Sequence, residues 1–574
     1  MEDSPVPDRR APKPAAQARF GTGTGHPGDT SGSLPRARNR KLRSNSPQAS
    51  ERMVDDKVQG DSRHPEASAA SGTVVHEVVV IGAGIAGIGA AVRLLASGID
   101  FVVLEKDREI GGVWRDNHYP DCGCDVPSAL YSYSFAPNPA WSRMFAKQAE
   151  IRQYTEDTAR RFGVMPHVRL NTELVRATWQ DDRKCWHLET SAGSYAARFV
   201  VMACGPMHVP VIPDIKGLDT FAGPRFHSAR WDHTCELGKQ RIAVIGSGAS
   251  AVQFVPEIQA RAARLTLFQR TAPWVLPKMD FAIPARWQAI FQRHAWVQSL
   301  FRWVIYLQFE ALNSSLKFPA LARRLQHIGM KNIHRGIQSK GAQLKARVTP
   351  DYSIGCKRIL LSNRWYRTLD KPNVEVVGGI AEVQGNTLVS SDGTRCEVDV
   401  IIFATGFEVA DPPIAQRIVG KSGMLLSTTW RGSPDAYLGT MTRDCPNLFL
   451  TFGPNLYTFS SAFVILEAQL KFIVSALTAA RKNRVASIAV QPERLARYNL
   501  SVQSALQRSV WNSGCSSYFI DKNGRNSTNW PWTTFAMRRR LAQFEPGDYM
   551  IEPTAGASGT PCIRAGAIAA VRVE

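Results

Sequence analysis

Residues Val78 to Glu105 constrain this chain more than any other stretch. The apolar run Val78 to Ile81 leads into Gly82-x-Gly84-x-x-Gly87, a helical stretch follows, and a second apolar run, Phe101 to Leu104, ends on the acid Glu105. That order predicts strand, tight turn, helix and parallel strand, a complete dinucleotide-binding unit. Gly82 permits the turn, and Gly84 lets backbone approach a pyrophosphate at the helix N-terminus. Gly87 lets helix pack on strand, and Glu105 accepts from ribose hydroxyls. Such a unit belongs to an α/β protein with a parallel sheet.

The chain contains the unit twice. Ile242 to Gln253 repeats strand, Gly246-Ser-Gly248-Ala-Ser250 loop and helix, and Leu265 to Phe268 is its second strand. Glu105 lies 23 positions after Gly82, and the same count from Gly246 falls on Gln269, followed by Arg270 and Thr271. An acid suits a ribose 2′-hydroxyl, whereas a missing acid beside an arginine suits a 2′-phosphate. The pair therefore predicts FAD in the first unit and NADPH in the second, two Rossmann-like domains in one chain.

At 574 residues the chain divides into two or three domains. The expected boundaries are a first FAD-domain part over 73–205, an NADPH domain over 206–390 with a helical insertion at 280–345, and a second FAD-domain part over 391–545. Residues 1–72, rich in Pro, Gly, Ser and Arg and poor in large apolar side chains, read as a disordered basic tail, and 546–574 as an irregular tail. The insertion holds the aromatic piece Trp287 to Leu312. It is the most apolar helical stretch in this reading, but Arg293, Arg302 and Glu310 interrupt it, so no transmembrane segment is expected. Its Trp and Arg content leaves open a core face, a substrate cap or peripheral membrane contact.

The formal net charge is +21, yet zinc-finger spacing, aromatic RNA-binding signatures and basic heptads are missing, so nucleic acid is not an expected partner. The ten cysteines are scattered, with Cys122-x-Cys124 as the nearest pair. They suggest neither a metal knuckle nor a C-x-x-C redox motif, and they fit a reducing cytoplasm. No metal site is expected.

The loop Gly111-Gly-Val-Trp114 to Asp125 has no helical or strand period and carries large aromatics, the mark of a long functional loop. A later buried strand ends in Ala404-Thr405-Gly406, small enough for backbone to approach a ligand.

Between the two units stands Phe221-x-Gly223-x-x-x-His227-x-x-x-Trp231-Asp232. This resembles, at every defined position, the fingerprint of the class B (type I) Baeyer–Villiger monooxygenases, whose sister flavin-containing monooxygenases carry Tyr at the place of Trp231. The Gly111 to Asp125 loop is similar to that family's second signature, departing at Asp121, where Gly or Met is usual. The resemblance covers roughly residues 75 to 545. It implies FAD held by the Gly82 loop, Glu105, the region of Trp114 and the turn at Thr405 and Gly406. It implies NADPH held by Gly246, Gly248, Ser250, Arg270 and Thr271, with Lys357 as a second phosphate partner. Arg358 looks like the family's active-site arginine, Asp125 like the carboxylate that orients it, and His227 like a hinge residue. The implied reaction inserts one oxygen from O2 beside a ketone carbonyl, by way of a flavin peroxide, to give an ester or lactone. The residues after Asn455 lack the Gly/His-rich pattern of many relatives, so the substrate side of the flavin is expected to differ.

Three alternatives stay open in the sequence. S- or N-oxygenation uses the same chemistry on a soft heteroatom. Disulfide reduction on the same architecture is opposed by the missing C-x-x-C and C-x4-C. A non-catalytic flavin-binding or membrane-associated protein would use the basic tail and the Trp287 to Leu312 stretch.

Overall fold

The computed structural model describes residues 75–554 apart from Lys317, so the tail expected over 1–72 lies outside the described residues. The first nucleotide unit stands at the centre of an eight-stranded sheet. Strand Val75–Ile81 pairs in parallel with Phe101–Leu104 on one side and Gly193–Met202 on the other. Val78, Val79 and Val80 are fully buried, as a strand covered on both faces requires. The sheet continues through the antiparallel strands Cys185–Thr190 and Leu174–Gln180. Two late segments close it, Leu448–Leu450 beside Gly193–Met202 and Ile418–Val419 beside Leu174–Gln180, so the first domain is completed from the C-terminal part of the chain.

The second unit builds a five-stranded parallel sheet in the order Val374–Val377, Arg264–Phe268, Arg241–Ile245, Val400–Phe403, Arg225–His227. The 390/391 boundary is thereby corrected. Val400–Phe403 pairs with Arg241–Ile245, Phe403 opposite Ile245, and belongs to the second sheet. A parallel partner more than 150 residues away leaves no trace in local pattern.

The C-terminal tail expected from 546 is also corrected. Tyr549–Pro553 is a strand, antiparallel to Val485–Val490, so the described order runs to Thr554. Among the described residues the helix both long and apolar enough to span a membrane is Ala462–Lys482 and not the Trp287 stretch. It has the length and mean hydropathy (1.6) of a membrane span, but 61% of that window is buried inside the molecule, where it packs on the helix Ile85–Ala96. Burial in the fold accounts for its apolarity. The insertion is helical as expected, as Ala285–Arg293, Ala295–Ser315, Pro319–Gly336 and Gly341–Val348, with His294 at the break between the first two.

Candidate active site

The first glycine loop leaves strand Val75–Ile81 with Gly82 at φ 102°, a left-handed value that a side chain would strain. A Cβ on Gly87 would stand 1.8 Å from the Gly82 carbonyl oxygen, so only glycine lets the helix sit on the turn. Glu105 is buried, with Oε2 accepting from the Ala83 N–H at 2.7 Å and Oε1 from the Asp107 N–H at 3.1 Å. Arg115 Nη1 adds a contact to Oε1 at 3.3 Å. A carboxylate has about four acceptor positions, so room remains for a ribose hydroxyl. The Gly111–Gly112 turn abuts this loop, with a Cβ on Gly112 lying 3.0 Å from the Gly84 Cα. Trp114 follows on the short helix Val113–Asp116, its indole N–H donating to the Tyr131 hydroxyl at 3.1 Å.

In the second loop Gly246 has φ 105°, and Ser247 Oγ donates to the Thr271 carbonyl at 3.2 Å. Ser250 lies on the helix Ala249–Ile258 that Gly248 opens. At the end of the second strand, burial and then the neighbouring Arg270 lower the pKa of the Lys357 ammonium. Two cations brought together at that place are the feature a 2′-phosphate would relieve. Beside them the Gln269 Oε1 is buried without a hydrogen-bond partner among the described residues.

The turn at Ala404-Thr405-Gly406 stands elsewhere than expected. It closes a second-sheet strand, and a Cβ on Gly246 would lie 2.5 Å from the Ala404 carbonyl oxygen. The first sheet has its own counterpart, where a Cβ on Gly82 would lie 2.8 Å from the Ala203 carbonyl oxygen. Thr405 and Gly406 are therefore brought to the second glycine loop, where Thr405 Oγ1 donates to the Val211 carbonyl.

The fingerprint residues are structural neighbours of that turn. Phe221 and Trp231 are buried, Trp231 edge-on to Phe226 and Phe254. A Cβ on Gly223 would meet the Asp399 carbonyl oxygen at 2.4 Å. His227 Nδ1 accepts from the Ala229 N–H at 3.1 Å, and its ring stands edge-on to Phe407. Burial, then Arg230, lower its pKa to about 4, so the imidazole is neutral at physiological pH. A neutral, 97%-covered ring beside Gly406-Phe407 suits a residue that couples segments rather than one that shuttles protons.

Arg358 and Asp125 do come together, Nη2 to Oδ2 at 3.8 Å, an ion pair without hydrogen-bond contact. Arg358 is half-buried, with 31% of its side chain exposed. Tyr457, followed by Tyr518 and Asp125, pushes its pKa above the ordinary guanidinium range, against burial, and the group is a permanent cation. Lys278 is a closer partner of Asp125, with Nζ at 3.2 Å from Oδ1 and at 2.9 Å from the Cys124 carbonyl oxygen. Gln253, on the second unit's helix, donates to the Gly123 carbonyl at 3.0 Å and accepts from the Tyr119 hydroxyl at 3.0 Å, joining the two nucleotide units at the site. Lys278, Gln253, Tyr457 and Tyr518 escaped sequence reading. Only Tyr457 had a signal, two positions after the turn residue Asn455.

Asp121 has φ 63°, the backbone region in which Gly is favoured and Asp tolerated. Its carboxylate is held by Lys147 and, at 2.8 Å, by Arg364. Burial pushes the Cys122 and Cys124 thiols up to about 12, so neither is a ready nucleophile. The scattered-cysteine reading is corrected at one pair: Cys356 and Cys515, 159 residues apart, form a disulfide that ties the Arg358 loop to the segment carrying Tyr518. The buried Asn455 Oδ1 and Ser460 Oγ have no partner among the described residues, as polar groups facing a ligand would.

Two glycine loops, one with an acid and one with a cation pair, together with an arginine paired to Asp125 define a flavoprotein oxidoreductase using a pyridine nucleotide. Residues 79–292 match the pyridine nucleotide-disulphide oxidoreductase family. The chain is 45% identical to a Baeyer-Villiger monooxygenase of Streptomyces coelicolor, over 83% of this chain and 93% of that protein. It is 41% identical to a Baeyer-Villiger monooxygenase of Pseudomonas aeruginosa, over 83% and 92%. Among solved structures it is similar to a steroid monooxygenase bound to NADP, with a TM-score of 0.74 and 27% identity over 84% of this chain and all of that one. A closed cyclohexanone monooxygenase gives a TM-score of 0.75 and 25% identity at the same coverage. This chain belongs to the Baeyer–Villiger monooxygenase family. It is an FAD- and NADPH-dependent flavin monooxygenase that uses O2.

Proposed function

We propose that the enzyme inserts one oxygen atom beside the carbonyl of a small-molecule ketone, giving an ester or lactone, with Arg358 and Asp125 in the catalytic site. The partly exposed Arg358, beside Asp125, Tyr457 and Tyr518, carries this reading. FAD, reduced by NADPH, supplies the activation of O2. The residues of this chain do the rest. Arg358 presents fixed N–H donors to the negative charge that develops on oxygen, and it cannot lose its own proton at physiological pH. Asp125 fixes the guanidinium, and Lys278 fixes Asp125.

Glu105, the Gly82, Gly84 and Gly87 loop and Trp114 hold FAD. Gly246, Gly248, Ser250, Thr271, Arg270 and Lys357 hold NADPH. Thr405 and Gly406, beside the Gly246 loop, would help hold the cofactors between the two units. NADPH supply favours a cytoplasmic setting. S- or N-oxygenation of a soft heteroatom is the alternative, and a panel of ketones and sulfides with mass detection of a gained oxygen separates the two. In Arg358→Ala, flavin reduction by NADPH is expected to persist while ester formation is lost. Normal ester yield from that variant would overturn the assignment.

A further inference from the structure

The helix Ala295–Ser315 has two unlike faces, both dominated by large side chains. Its inner face works for the site. Asn313 accepts from the Thr458 hydroxyl at 3.0 Å, one residue from Tyr457, and Glu310 holds Thr534 through the Thr534 N–H at 3.1 Å. Its outer face is apolar and uncovered among the described residues. Trp296 is 67% exposed, Leu300 51%, Trp303 53% and Val304 41%, and the exposed Ala311 continues the row. Positions 296, 300, 303, 304 and 311 fall within one arc of roughly 100° on a helix of 3.6 residues per turn. On the adjoining helix, Trp287 is 44% exposed. Surface helices ordinarily put charge where this one puts tryptophan.

The charge of the insertion indicates what meets this face. Residues 281–350 contain eleven Lys and Arg and a single acid, Glu310, which is buried and engaged with Thr534. Arg286 and Arg293, flanking Trp287, and Arg323, Arg324, Lys331 and Arg335 on the next long helix are exposed. A second copy of the chain would bring one strongly basic insertion against another and meet like charge. An anionic surface with an apolar interior satisfies both features. Cations attract acidic headgroups, and tryptophan seats at the boundary between headgroup and acyl chain.

We infer that the outer face of the helix Ala295–Ser315, led by Trp296 and Trp303, docks the enzyme on the surface of an anionic lipid bilayer. The helix lies in the plane of the interface and does not cross it. Its inner face reaches the loop that carries Tyr457, so the docked surface and the site share one rigid element.

The test is co-sedimentation of the full-length holoenzyme with phosphatidylglycerol/phosphatidylcholine vesicles, against phosphatidylcholine vesicles alone, for wild type and W296E/W303E. Wild type is expected to partition onto the anionic vesicles, less so at high salt. The double variant should lose about tenfold or more in partition coefficient, each tenfold being 1.4 kcal/mol. Neither tryptophan touches the site, so flavin content and substrate-free NADPH oxidation serve as the control for folding. The basic tail is common to both proteins, so the difference between them reads the helix face. Equal binding by the two proteins, or no binding by wild type, overturns the inference. So does light scattering in which the variant converts a dimer to a monomer while vesicle binding is unchanged.

Discussion

Lys278 Nζ lies 3.2 Å from Asp125 Oδ1, and both side chains are nearly covered, 14% and 11% exposed. Arg358 stands farther from the same carboxylate, at 3.8 Å. The lysine is therefore the nearer anchor of Asp125, and Asp125 passes that position on to the arginine. Gln253 Nε2, at 3.5 Å from the same oxygen, adds a third constraint from the second nucleotide unit.

Lys278→Met should lower the rate of oxygenated product formation about tenfold to a hundredfold, the cost of a small misplacement near the reacting atoms, while NADPH still reduces the flavin at its normal rate. Stopped-flow reduction and product analysis on one preparation separate the steps. Equal loss in both would show a general folding defect and refute the positioning role.

Arg270→Ala and Lys357→Ala should each raise KM for NADPH by roughly tenfold to a hundredfold, the worth of one charge-assisted contact, and leave KM for NADH nearly unchanged. Steady-state titration with both coenzymes reads the ratio. A parallel rise for both would show that neither cation meets the 2′-phosphate.

His227 makes stability depend on pH. Its ordinary value is 6.5 and its folded value about 4, so the unfolded chain takes up a proton that the folded chain refuses. The stabilisation is complete above pH 6.5 and is lost as pH falls toward 4, by up to about 3 kcal/mol at 1.36 kcal/mol per pKa unit. Denaturant melts between pH 7 and 4.5 should show this slope, flattened in His227→Gln. An unchanged slope in the variant would place the effect elsewhere.

The disulfide between Cys356 and Cys515 closes a loop of 159 residues. Constraining so long a segment of the unfolded chain is worth about 2–5 kcal/mol. Thermal unfolding of the holoenzyme with and without dithiothreitol should show a lower midpoint on reduction. Cys515→Ser should start at the reduced value and ignore the reagent. A wild-type midpoint indifferent to reductant contradicts the prediction.

Both nucleotide units were legible because their information is local. A glycine with positive φ, a strand covered on both faces and an acid at a strand end are each written within some 28 residues, as Val78 to Glu105 shows. The contrast between Glu105 and Gln269-Arg270 separated the two cofactors by the same local means. The motif resemblance marked Arg358 and Asp125, and the fold then brought them within ion-pair distance.

Contacts across long sequence separation were decided by tertiary structure alone. Val400–Phe403 reads as a generic buried strand, and only pairing with Arg241–Ile245 assigns it to the second sheet and its turn to Gly246. Lys278 reads as one lysine among many until the packing of the insertion sets it on Asp125. Cys356 finds Cys515, and Tyr457 and Tyr518 find Arg358, for the same reason. Local backbone preferences are carried by neighbours along the chain, so the sequence by itself determined the two nucleotide cradles. Side-chain partners are chosen by burial in a shared interior, so the charge network around Asp125 existed only once the chain had folded.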